Sequence, residues 1–404
     1  MNRKLMTKLL SGFLLLFCSA FTLFFLQRPH LNWDMIGYVA SARAYESSDY
    51  GLLQKEVYEL LSRSVPEDTY LKLTSGYFRQ IRATDPESLR QHLPFYQIRV
   101  VYVGLILALW KLGLNPFFAS HFISAVCAAL AIWILAFMLP EKPHPAYLIV
   151  VPAIALLTGF SDLAKFSTPD AMCVLAVFIC YWLTFRRHKL LLIALPACIL
   201  VRTDLLLLIP FFYIYLWLIR PFDRRIVAGS ALLGLALYIS VNSYFGNYGW
   251  STVFHYTFIQ KSSHPANFPH TVTMASYLTT LASGLPSLFV RRFLTYTAMT
   301  LFGIVALCRP HDWTKCIALP LSRDMCFAFI SSIGYVVLHF ISFPVAWSRF
   351  FSGQYALGAA LSMYLLLEVT RSNKPDQSTV DSRDRSAVDP HKQGNQTRRN
   401  IQNN

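Results

Sequence analysis

The chain has 404 residues, 55% of them hydrophobic and only 14% charged, with a formal net charge of +15. Soluble domains carry roughly a quarter charged residues. Here the apolar residues also gather into runs such as Leu9–Leu26, Phe117–Leu139 and Ile226–Phe245, each near the roughly 20 residues that span a bilayer core. A soluble enzyme, a disordered chain and a disulfide scaffold are excluded, and the pattern predicts an all-α, polytopic transmembrane helical bundle.

The basic residues sit in short clusters between apolar runs, so they read as topology signals and not as a nucleic-acid surface. Arg3, Lys4 and Lys8 precede the first run. That run lacks a small-residue cleavage site, which predicts an uncleaved first span with a cytoplasmic N-terminus. Residues 28–99 follow as a first outer loop with nine basic and nine acidic residues, where Tyr50–Leu61 has the periodicity of an amphipathic surface helix. Further spans are expected at 116–139, 146–162, 170–185, 190–203, 205–219, 226–245, 287–308, 325–343 and 352–369, about ten helices in all. Residues 246–286 form a second large outer loop, residues 1–370 make one membrane module, and Arg371–Asn404 reads as a disordered cytoplasmic tail. Cys18, Cys127, Cys173, Cys180 and Cys198 lie inside apolar runs, where membrane packing accounts for them.

Two segments are decided by the preference of Lys and Arg for the cytoplasmic side. If Val100–Leu114 spanned, the basic residues of 186–189 and 220–225 would face outward, so it reads as a surface or re-entrant helix. Leu190–Ile219 is interrupted by Arg202-Thr203-Asp204. Only a hairpin turning there keeps both flanking basic clusters inside.

This topology collects charged residues on the outer face: Asp34, Lys165, Asp170, Arg202, Asp204, Arg291, Arg292 and Arg349. Charges at membrane depth cost about 2.5–3.5 kcal/mol each on insertion scales, so their convergence points to a functional cavity. Plainer roles stand beside that reading. Asp34 suits a helix cap, Pro169-Asp170 a helix start, Arg202 and Asp204 a paired turn, and Arg291-Arg292 headgroup anchors. His264 and His270 read as ordinary loop histidines. Trp33, Tyr38, Tyr248 and Trp250 suit either sugar stacking or an interfacial aromatic belt. Gly-rich phosphate loops, catalytic serine or zinc motifs and internal repeats are absent from the sequence.

In order and side, Trp33-Asp34-Met35-Ile36-Gly37-Tyr38, Phe166-Ser167-Thr168-Pro169-Asp170, Arg202-Thr203-Asp204 and Phe343-Pro344 with Arg349-Phe350 resemble the GT-C superfamily. These membrane glycosyltransferases use polyprenyl-phosphate sugars and include protein O-mannosyltransferases and lipid A aminoarabinose transferases. The resemblance implies a polyprenyl-phosphate sugar donor, a glycan, lipid or protein acceptor, and a site on the periplasmic or lumenal face; the short loops make a bacterial inner membrane the expected location, with the endoplasmic reticulum as the alternative. It implies Asp34 as catalytic base and Asp170 as its catalytic partner. Arg349, with Arg291 or Arg202, would hold the phosphate, and Tyr38, Lys165 and Asp204 would line the substrate site. The family commonly has two near-adjacent acids in the first loop. Here Asp34 is followed by Met35 and the next acid is Glu46, so a divalent metal is not supported by an acidic pair and no cofactor is assigned. A transporter or flippase of a lipid-linked or polar solute, a polysaccharide polymerase or ligase, and a non-catalytic envelope protein are the competing readings.

Overall fold

The computed structural model describes residues 3–139, 145–267, 271–290 and 320–372, and these are all-helical apart from one isolated bridge between His30 and Phe166. Five helices are long and apolar enough to cross a membrane, and four shorter apolar helices have 10–17 residues. The expected span at 287–308 falls largely outside the described residues, as do Arg291, Arg292, His270 and all but the start of the tail.

Helix α1 (Arg3–Leu26) buries Leu14, Phe21 and Phe25 but leaves Leu9, Leu15, Leu16 and Leu23 exposed. A one-sided apolar helix of this length has surplus surface that lipid can cover. Helix α2 (Asp34–Ala44) is different: Met35 through Ala42 are all buried. Its cover begins with α3 (Tyr50–Ser64), whose Leu53, Val57 and Leu61 recur every four residues and face inward. The Asp49 carboxylate starts α3 by accepting from the Gly51 and Leu52 amides at 3.0 Å each, satisfying donors that a helix start otherwise leaves free.

Short helices α4 (Glu67–Thr74), α5 (Tyr77–Thr84), α6 (Pro86–His92) and α7 (Pro94–Gln97) follow, broken at Gly76, at the Asp85 cap and by Pro94. The α6–α7 segment meets α8 (Val100–Lys111) at 113°. The sharp bend fits either a re-entrant segment or a broken span.

Helix α9 (Pro116–Phe137) starts on an Asn115 cap with Pro116 in its first turn, and packs along α1 and α12. Helix α10 (Pro145–Thr158) ends at Gly159, whose φ of +100° suits glycine. The expected span 146–162 therefore stops early and the chain turns into α11 (Phe160–Lys165). Helix α12 (Asp170–Phe185) then runs back.

Arg202 is extended between α13 (Leu191–Val201) and a 3-10 turn, Thr203–Leu207, that leads into α14 (Ile209–Ile219). On α15 (Arg224–Tyr244), the Ser230 hydroxyl donates to the Leu192 carbonyl at 2.5 Å and meets the Tyr213 hydroxyl at 2.8 Å. One residue of α15 thus touches both halves, and the chain doubles back at Arg202.

After α16 (Gly249–Phe254), helix α17 (Met274–Val290) begins well inside the stretch expected as a loop. Its Ser and Thr residues read as loop, but Thr273 caps it by accepting from the Ser276 amide at 3.1 Å. The last described helices are α18 (Pro320–Ser342) and α19 (Ser348–Ser372). Helix α19 starts before the expected 352, which puts Arg349 in its first turn. A Cβ on Gly353 would lie 2.9 Å from two methyl carbons of Val174, so its absence lets α19 press against α12.

Candidate functional site

Three helices begin at one end of the bundle: α2 with Asp34, α12 with Asp170, and α19 with Arg349 in its first turn. The Gly353–Val174 contact lies one turn further along both α12 and α19, so Arg349 arrives beside Asp170. Its Nε is 3.6 Å from Asp170 and its Nη1 is 3.6 Å from Asp34. Both separations exceed good hydrogen-bond distance. The guanidinium therefore links the two carboxylates by charge while its donor directions remain open to another acceptor. Phe166, Trp347 and Phe350 present ring faces to it at 5.5, 4.9 and 5.3 Å, which holds the cation in place.

Behind Asp170 the contacts tighten. Arg202 donates to Asp170, and it grips Asp204 bidentately, with Nε at 2.8 Å and Nη2 closer still. The Arg202 and Asp170 side chains are 8% and 5% exposed, against 34% for Asp34. Arg202 has carboxylates on all three nitrogens. In this structure all its donor nitrogens are thus directed at Asp170 and Asp204. His339 on α18 closes the chain, with Nε2 3.3 Å from Asp204.

A hydrogen-bonded thread fixes Asp170 from its other side. Tyr102 donates to the Ser120 carbonyl at 2.9 Å and approaches Ser124, whose hydroxyl donates to the Thr168 carbonyl at 2.9 Å. The Thr168 hydroxyl donates to the second Asp170 oxygen at 2.7 Å. Both oxygens of this buried carboxylate are thus engaged, as burial of an ion requires.

Asp34 is held more lightly. The Tyr96 hydroxyl donates to it at 3.4 Å, and Tyr38 packs edge-on against Tyr96 and Tyr102 at 5.1 and 5.0 Å. Burial pushes the Tyr38 pKa above the ordinary phenol value, with Asp34, Asp170, Arg349 and Arg99 all acting on it. Tyr38 therefore lies beneath the site as a protonated phenol.

No family model, curated protein or solved structure matches the chain. The geometry alone carries the site. Of the expected residues, Asp34, Asp170, Arg202, Asp204 and Arg349 form one continuous chain of charges, with Tyr38 beside it. Lys165 does not join them. Its ammonium lies 5.7 Å from the Phe25 ring, and its carbonyl accepts from the His30 amide at 3.0 Å, at the end of α1. Arg291 lies outside the described residues.

Glu46 is elsewhere too, paired with Lys111 at 2.6 Å and Arg43 at 3.3 Å. Those residues line an open groove of about 500 Å³ with Glu56, Glu59 and Trp110, whose charges largely answer one another. Tyr248 and Trp250 anchor loops by donating to the Gln91 and Ser342 carbonyls at 3.0 and 2.7 Å. His264 meets Asp85 at 2.7 Å, joining the two large loops. Among the described residues no three of His, Cys, Asp and Glu gather as metal ligands.

Sequence reasoning missed Tyr96, Arg82 and His339. A signal existed for His339, a polar residue inside the apolar run 325–343. Nothing marks Tyr96 among the 21 tyrosines.

Proposed function

We propose that the protein is a membrane glycosyltransferase that moves a sugar from a polyprenyl-phosphate donor to an acceptor hydroxyl on the outer face of the membrane. The observation that supports this most is the pairing of a half-exposed carboxylate, Asp34, with an arginine whose donors are not consumed, Arg349. Transfer needs these two groups. A carboxylate takes the acceptor proton as its oxygen attacks the anomeric carbon. A guanidinium binds the oxygens of the departing polyprenyl phosphate through its planar fork and stays charged at any working pH.

In this reading Asp34 is the base. Asp170, pinned by Arg202 and Thr168, holds Arg349 at the height of Asp34. A donor with a long apolar tail enters from the bilayer, which fits a site at one end of the helical bundle.

The test is a panel of short-chain polyprenyl-phosphate hexoses and pentoses, assayed for release of polyprenyl phosphate by the purified protein in lipid nanodiscs. Turnover of at least one donor is expected, with Asp34→Asn and Arg349→Ala each reducing it by about 10²–10⁴-fold. A protein that turns over none of them, or variants that retain full turnover, would refute the reading.

A further inference from the structure

Arg82, on α5, is fully buried and meets no carboxylate among the described residues. Its Nη2 reaches the Trp33 carbonyl at 3.5 Å; among the described residues Nε and Nη1 make no well-formed hydrogen bond, and the Tyr96 and Tyr58 phenols are the polar groups that face the cation. The guanidinium carbon lies over the Trp33 ring, 3.8 Å from its centre, and 5.8 Å from the centre of the Tyr96 ring. A buried, permanently charged group without a counter-ion is costly. The fold keeps this one directly behind two residues, Trp33 and Tyr96, that border Asp34. Trp33 precedes Asp34 in the chain, and Tyr96 donates to its carboxylate at 3.4 Å.

The approach of Tyr96 is built into the backbone. A Cβ on Gly37 would lie 2.5 Å from the Tyr96 ring, so only glycine admits the ring at that height. Gln54 holds α5 in register by donating to the Arg82 carbonyl at 3.0 Å.

We propose that Arg82 is a positioning residue for Asp34: its buried charge holds the Tyr96 phenol, and with it the Asp34 carboxylate, in one orientation. The inference rests on the reading of Asp34 as the site's working carboxylate. Asp34 thus lies between two cations, Arg349 in contact on one side and Arg82 across a tyrosine on the other. Burial raises the Tyr96 pKa, with Arg82 pulling against it, so the phenol remains protonated and donates. The other titratable groups around Asp34 are Tyr38 on its own helix, Asp170 through Arg349, Arg99 beside Tyr38, and Tyr256, which senses both Arg82 and Asp34.

The test reads Asp34 directly and needs no sugar donor. Carbodiimide labels protonated carboxyl groups, and peptide mass spectrometry of the full chain in detergent gives the pH midpoint of labelling at Asp34. Arg82→Gln and Tyr96→Phe should each raise that midpoint by about one unit, as loss of a nearby cation or donor predicts. Arg82→Lys should restore it in part, while Asp49 on the exposed loop should not move. An unchanged Asp34 midpoint in Tyr96→Phe, which keeps the ring and so the packing, overturns the proposal even if Arg82→Gln fails to fold. A shifted midpoint in a protein that turns over no polyprenyl-phosphate sugar would uphold the positioning role and overturn only the assigned reaction.

Discussion

The bundle carries two buried clusters of charge at opposite ends of α18, and they are built on different principles. At Asp324, near the start of the helix, Arg220 and Tyr215 both donate to one carboxylate oxygen, and Arg220 also donates to the Thr184 carbonyl at 3.0 Å. The side chains of that pair are 6% and 4% exposed, and Tyr215 is stacked on Phe327 at 4.2 Å. At His339, 15 residues and so roughly 22 Å further along the helix, three carboxylates share two arginines. One cluster is closed, with one acid answering one base. The other is graded from a sealed interior at Arg202 to an open rim at Arg349 and Asp34. A closed pair joins helices; an open one leaves binding capacity unspent.

The largest effects should come from breaking either sealed pair. Arg220→Ala or Arg202→Ala leaves a buried carboxylate uncompensated and should cost about 3–5 kcal/mol of stability, measured by unfolding in detergent. The two ends should then separate when both partners are replaced. Arg220→Met with Asp324→Leu should recover most of the stability with turnover intact. Arg202→Met with Asp204→Leu should recover little stability and abolish turnover, because buried Asp170 still lacks its anchor. Full turnover in that second double variant would show that the graded cluster is also only a staple.

Packing at the open rim gives the next effect. Gly37→Ala drives a methyl group into Tyr96 and should cost about 1–3 kcal/mol, as overpacking does. Gly12→Ala, with nothing within 4 Å of the new carbon, should cost nothing. Equal melting temperatures for these two variants would mean that Tyr96 has room to move.

Acid should also act beside this rim, through His92. Burial, then Arg82, holds His92 down at about 3, against about 6.5 unfolded. Between those values the unfolded chain binds a proton that the folded chain refuses. Stability therefore falls as pH drops from 6.5 towards 3, by roughly 2 kcal/mol between pH 7 and 5. His92→Phe should flatten that part of the pH–stability curve, and an unaltered curve would place the acid sensitivity elsewhere.

What could be read from the sequence follows from contrast. In an apolar chain, Asp34, Asp170, Arg202, Asp204 and Arg349 stand out, and the need to keep basic clusters on one side suggested that 190–219 doubles back. Ser230 touching both halves agrees with that geometry. What sequence could not supply is direction. Lys165 is as charged and as close in sequence to Asp170 as any candidate, yet its side chain leaves towards α1. Arg82 looks like one basic residue of nine in a solvated loop, and only the packing of Trp33 and Tyr96 over it shows otherwise. Helix α17 was hidden by its Ser and Thr content, because a capped helix start and a polar loop share residue types.

The smallest stability change should be the most informative. Arg349 is 17% exposed and sits 3.6 Å from each carboxylate, beyond the range in which a charged hydrogen bond contributes strongly. Removing it relaxes no tight contact, and Asp170 retains Arg202 and Thr168. Arg349→Ala should therefore shift stability by less than about 1 kcal/mol, as expected for a partly screened pair, while turnover falls by orders of magnitude. A variant as destabilised as Arg202→Ala would make Arg349 part of the sealed interior, and the distinction between the two ends of α18 would collapse. A stable, inactive variant would mean that the fold holds this cation for something other than itself.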